Sequence, residues 1–382
     1  MNNNPRHVSA PIHGDSSTRI AMMLFLTGLV IVSFAYTNFV IDDALIGRFL
    51  VLNVILILIV PFLPAPGADK IVRTPLIGFY FLFFCFNVLS TAWAINAEEG
   101  FFESFKILFG LLIFILTIIL HTRSELFFNN LLKVSLLTFV GYALIILFEV
   151  STYEFKTYSR LEMEAITGIN GNKNELAGFL FLLLPFLTLG VFNLRRPLNL
   201  LSLLGCVLNL IFILMLQSRA VWAGVVTVGL VSSILFAVYG PTNFGYKGVL
   251  AGTLGAVIFI GVISFLIYSS QSKLPGATKS MSERKALWEN TYEMFKENPV
   301  AGVGAGNWRI NFGNYTLRGY DNWQAGFRIP DRPHNDFLWV LAETGLIGFF
   351  FTSSFLLCWL LTPFDSLIKM DSHKQLSSYS LL

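Results

Sequence analysis

The sequence predicts an all-α fold: a polytopic integral membrane bundle of about ten to twelve helices, with one long extramembrane loop that carries an amphipathic helix. Three observations point there. Hydrophobic residues make up 55% of the 382 positions and charged residues only 13%, about half the roughly 25% charge of an ordinary soluble domain. Apolar windows of membrane-spanning length recur along the chain. Lysine and arginine alternate between the connections, as the positive-inside bias requires.

The windows fall at 20–37, 46–64, 74–94, 103–121, 127–149, 175–193, 198–217, 220–239, 248–268 and 335–361. The segment 376–382 reads as the first turns of a further helix, so the sequence is expected to stop short of a complete bundle. Arg6, Arg19, Lys70, Arg73, Arg123, Arg195, Arg196, Lys247, Lys369 and Lys374 share one side if the N-terminus is cytoplasmic. The connection 94–102 offers Glu98 and Glu99 and no base. Residues 150–174, the 218–220 turn and the stretch 269–334 then lie outside. Three regions follow: 1–268, a bundle of about nine helices; 269–334, the outer loop; and 335–382, the last complete helix and the start of another.

Within the loop, Ser282 is expected to cap a helix running to about Asn298. Leu287, Trp288, Thr291, Met294 and Phe295 recur on one face. Pro299 ends it. The run Gly302-Val-Gly-Ala-Gly306 has no preceding strand and no βαβ context, which excludes a dinucleotide site; it reads as a tight turn folding the loop back onto the bundle. Residues 309–333 look irregular and aromatic.

The net charge of +3 is small and scattered, which offers nothing to nucleic acid. Cys85, Cys206 and Cys358 lie in apolar runs and suggest neither a disulfide nor a metal pair. No His/Cys/Asp/Glu set has metal-ligand spacing, no serine-hydrolase elbow appears, and no cofactor is implied. No cleavable signal peptide is expected.

What chemistry remains gathers on the outer face. Of the five histidines, only His334 falls there, beside Asn335 and Asp336, where a general base near neutral pH would serve. Arg219 sits in a turn too short to swing freely, and Arg284 near the start of the amphipathic helix. Guanidinium groups grip phosphate bidentately with fixed charge. Arg160 and Lys173, in the other outer loop, are weaker candidates. Glu343 would be a buried carboxylate hydrogen-bonded to neighbouring helices.

Four stretches, in order, resemble the O-antigen ligase and polymerase superfamily of GT-C-like bacterial envelope glycosyltransferases. They are Gly168-Ile-Asn-Gly-Asn-Lys-Asn174, Ser218-Arg219-Ala220, the run from Arg284 to Trp308, and His334-Asn335 with Glu343-Thr-Gly-Leu-Ile-Gly348. The resemblance covers about half of the chain. It implies a metal-independent, inverting transferase at the periplasmic face of the inner membrane, taking a glycan from undecaprenyl diphosphate. It assigns Arg219 and Arg284 to the diphosphate and His334 to the acceptor hydroxyl. The expected acceptor is lipid A–core. A growing glycan, as in a polymerase, and a protein side chain are the alternatives within the family. A transporter or flippase would need inverted repeats and midplane charges, which the sequence does not display.

Overall fold

The computed structural model describes residues 16–36, 45–63, 74–153, 165–239, 277–315 and 332–379. Eleven α-helices fall within them: α1 Ser16–Phe34, α2 Leu45–Ile59, α3 Pro75–Ser90, α4 Ala97–Arg123, α5 Leu126–Thr152, α6 Lys173–Asn193, α7 Leu198–Met215, α8 Arg219–Tyr239, α9 Ala277–Glu297, α10 Trp308–Phe312 and α11 Asp336–Tyr379. A 3₁₀ turn, Val60–Phe62, extends α2. No strand occurs among the described residues. The predicted span 248–268 lies outside them.

Among the described residues, six helices are long and apolar enough to cross a membrane: α1, α4, α5, α6, α7 and the Asp336–Leu361 part of α11. Gly47–Phe62, Pro75–Ser90 and Arg219–Val231 are shorter apolar helices. Large hydrophobic side chains stand open on them, Phe192 at 80% and Ile57 at 70% exposure. That is how a bundle solvated by lipid tails is built, because lipid is as apolar as leucine. The protein is a polytopic membrane helical bundle.

The chain divides into two compact units. The first, Met1–Ala65 with Leu120–Lys273, holds α1, α2 and α5 to α8. Leu136, Phe139, Tyr142 and Ile146 of α5 meet Leu176, Leu180, Leu183 and Leu187 of α6, with Phe212 and Ile213 of α7 behind. Small residues bring α6 and α7 together: a Cβ on Gly190 would lie 2.6 Å from the Ser202 hydroxyl oxygen. Asn209 then donates through Nδ2 to the Leu180 carbonyl at 2.9 Å, the polar cross-link that replaces a hydrophobic drive in lipid.

The second unit, Pro66–Ile119 with Leu274–Leu382, holds α3, most of α4 and α9 to α11. Aromatic rings lock α3 to α11 edge to face: Phe79 on Phe350, Tyr80 on Phe355 and Phe86 on Phe351. Where the sequence suggests a helix to 361 and a separate start at 376, the structure carries one helical run to Tyr379, interrupted only at Gly345 (φ 62°, ψ −163°). The amphipathic helix also begins earlier than expected, at Ala277. Ser282 therefore lies inside the helix rather than at its start, because the breakers Pro275-Gly276 come first and Ala277–Met281 contains none.

Candidate active site

The α7–α8 turn is pinned by its own backbone. Leu216 donates to the Phe212 carbonyl at 2.9 Å, and Gln217 to that of Leu214 at 3.2 Å. Gln217 takes the left-handed region at φ 52°, and the Ser218 carbonyl accepts from Trp222 N–H at 3.0 Å. The Trp222 indole reaches back to the Ile213 carbonyl at 3.0 Å. Arg219, exposed, is the first residue of α8. A cation there stands against the positive end of the helix dipole, so an anion beside it would be stabilised by both.

Lys173 opens α6 but is buried, 3% exposed. The helix is capped by Asn172, whose Oδ1 accepts from Asn174 and Glu175 N–H at 2.9 Å each. Arg160 lies outside the described residues. Arg219 and Lys173 belong to the first unit; Arg284, His334, Asn335 and Asp336 belong to the second.

In the second unit, α9 turns Ala286, Leu287, Asn290, Thr291 and Met294 inward and leaves Arg284 exposed. Trp288, four residues on and therefore on the same face, donates through its indole N–H to the Pro333 carbonyl at 3.0 Å. His334 is the next residue. It is exposed and holds φ 55°, a conformation that costs a non-glycine residue about 1–2 kcal/mol. Thus α9 is fastened one residue before the histidine, one turn along from Arg284.

Asn335 is the cap of α11: its Oδ1 accepts from Leu338 N–H at 3.2 Å and its carbonyl from Trp339 N–H at 2.9 Å. Asp336 follows as the exposed first helical residue, a sign the helix dipole favours. Changing Asn335 to Ala should cost about 1 kcal/mol, read as a lower thermal midpoint in detergent. Asn335→Asp keeps the acceptor and should restore the midpoint.

The glycine run folds back on α11, as expected, and supplies what the break at Gly345 leaves open. Val303 N–H donates to the Ala342 carbonyl at 3.0 Å and Gly304 N–H to that of Glu343 at 2.9 Å. In return, Leu346 and Ile347 donate to the carbonyls of Pro299 and Val300 at 2.9 and 3.2 Å. The break itself was missed in the sequence. Glu343, 7% exposed, accepts Trp308 N–H at 2.9 Å, the buried structural role its position suggested. Trp308 is fully buried, stacked on Phe312 with centroids 4.5 Å apart. Its indole donates to Thr291 Oγ1 at 3.1 Å, on α9.

Beyond Phe312, the Tyr315 hydroxyl donates to Glu297 Oε2 at 2.6 Å. Burial first, then the carboxylate, push the phenol pKa up to about 12. Tyr315 is thus a fixed donor at neutral pH that closes the loop onto the end of α9. The aromatic positions Tyr320, Trp323 and Phe327 lie outside the described residues.

No curated protein and no solved structure matches the chain. Residues 204–353 match the family model described as O-antigen ligase, and this match supports the O-antigen ligase superfamily for the segment that carries Arg219, Arg284, the glycine run and His334.

Proposed function

We propose that this protein is an O-antigen ligase-type glycosyltransferase, acting without a metal and with inversion, that moves a glycan from undecaprenyl diphosphate to a lipid A–core hydroxyl. The family match supports ligase-like glycosyl transfer in lipopolysaccharide or polysaccharide synthesis. One geometric observation carries the finer reading: the Trp288–Pro333 hydrogen bond ties the helix of Arg284 to the residue before His334. A permanent cation and a titratable base are thereby held on adjoining backbone.

In this reading Arg284 binds the donor's diphosphate, with the lipid tail among the helices; Arg219, in the first unit, is the second candidate for that role. The acceptor hydroxyl gives its proton to the His334 imidazole, and its oxygen bonds to the anomeric carbon from the face opposite the diphosphate. The anomeric C–O bond to the diphosphate breaks, and undecaprenyl diphosphate leaves with the negative charge that the guanidinium groups offset. The site faces the periplasm and the N-terminus the cytoplasm, in the inner membrane, the orientation that the lysine and arginine distribution supports.

Glycolipid analysis of cells lacking the protein tests this. Loss of lipid A-linked polymer, with long chains accumulating on undecaprenyl diphosphate, is the expected result. Single repeats left on the carrier would replace the ligase reading with a polymerase. Unchanged surface and lipid-linked glycans would overturn both and leave a protein acceptor or a transporter.

A further inference from the structure

We infer that Trp288 is a positioning residue that sets His334 in register with Arg284, an inference that rests on the transferase reading above. The indole N–H is a donor with no acceptor capacity, and here it is spent on a backbone carbonyl, that of Pro333, at 3.0 Å. The ring is half-buried and packs against the core cluster that Leu287 and Met294 of α9 form with Trp308 and with Ala342 of α11. Pro333 is buried and has a ring-fixed φ, so what grips its carbonyl fixes where the next residue begins.

That next residue is His334, in the left-handed region at φ 55°. A strained backbone persists only where its surroundings over-determine it. Two constraints bracket this one: the Trp288 bond on the N-terminal side and the Asn335 cap on the other. The cap belongs to α11 alone. The indole bond refers the histidine to α9, and with it to Arg284 one turn earlier. Releasing it lets His334 relax relative to the cation while both side chains remain present. Misplacement by about 1 Å can cost on the order of a hundredfold in rate.

The test uses the purified full-length protein in nanodiscs, a synthetic polyprenyl-diphosphate-linked oligosaccharide as donor and lipid A–core as acceptor. Trp288→Phe should lower kcat about tenfold or more and leave the KM for donor within about twofold, because Arg284 is untouched. A purely structural role would instead lower the thermal midpoint and the active fraction, with kcat per folded molecule unchanged. That result would overturn the inference. Should Phe fail to fold, benzothienylalanine placed at 288 keeps the indole's shape without its N–H, and wild-type kcat there would also sink it. His334→Ala and Arg284→Gln run in parallel separate the two levels. Transfer unaffected in both, or no transfer by the wild type, overturns the transferase reading itself. Transfer lost in both, with normal kcat at the altered 288, overturns the Trp288 inference alone.

Discussion

Replacing His334 with alanine should abolish glycan transfer and leave the protein inserted and folded. A general base contributes about 10²- to 10⁴-fold in rate, so residual activity should be at or below one percent. Stability should hardly move, because the side chain is exposed at the start of α11 and alanine, like histidine, carries a Cβ through the same left-handed backbone. The cap on Asn335 uses its own oxygens and does not need the imidazole. Transfer assays on the purified variant, alongside its thermal midpoint, decide the matter. Unaltered transfer refutes the base assignment; lost transfer with a collapsed midpoint shifts the role of His334 to folding.

Much of this architecture was legible from hydropathy, and its misses have local physical causes. The window 103–121 underestimates α4, which starts at Ala97, because its first turn is polar. Asn96 Oδ1 accepts from Glu98 and Glu99 N–H at 3.0 and 3.2 Å, and a search for apolar runs excludes such residues. The amphipathic face of α9 was readable, since Leu287, Thr291 and Met294 are buried as their spacing indicates. The break in α11 was not. Gly345 sits in a run that is helical on both sides, and the conformation is imposed by a loop some forty residues earlier in the chain. The groups it frees are taken by residues 299–304 rather than left open for a ligand, unlike the broken helices of a transporter's midplane site. The tie between α9, which carries Arg284, and Pro333, the residue before His334, likewise runs through Trp288, whose spacing suggested only an apolar face.

Alanine at Gly302 or Gly345 should be among the most destabilising single changes in the chain. At Gly302, φ is 69° and an added Cβ would lie 2.3 Å from the Glu343 carbonyl carbon and oxygen. At Gly345, φ is 62° and the Cβ would lie 2.3 Å from the Val300 carbonyl oxygen. In each case the obstacle is backbone, which cannot rotate aside as a side chain would. Relief requires separating residues 299–304 from α11, and that breaks four hydrogen bonds and strips partners from eight backbone groups, each costly wherever it stays buried. Glu343 would then lose the Trp308 N–H. Strained backbone and orphaned polar groups together put the expected loss at about 3 kcal/mol or more for either substitution. Because both changes open the same clasp, the double variant should lose far less than the sum of the two. Gly178 in α6 provides the control: a Cβ there meets nothing within 4 Å, and Gly178→Ala should stabilise by about 0.5–1 kcal/mol through helix propensity alone. Thermal midpoints of the four variants in one detergent rank these effects. Additive losses at 302 and 345 would mean that the two glycines serve separate structures, and the clasp as a single unit would be wrong.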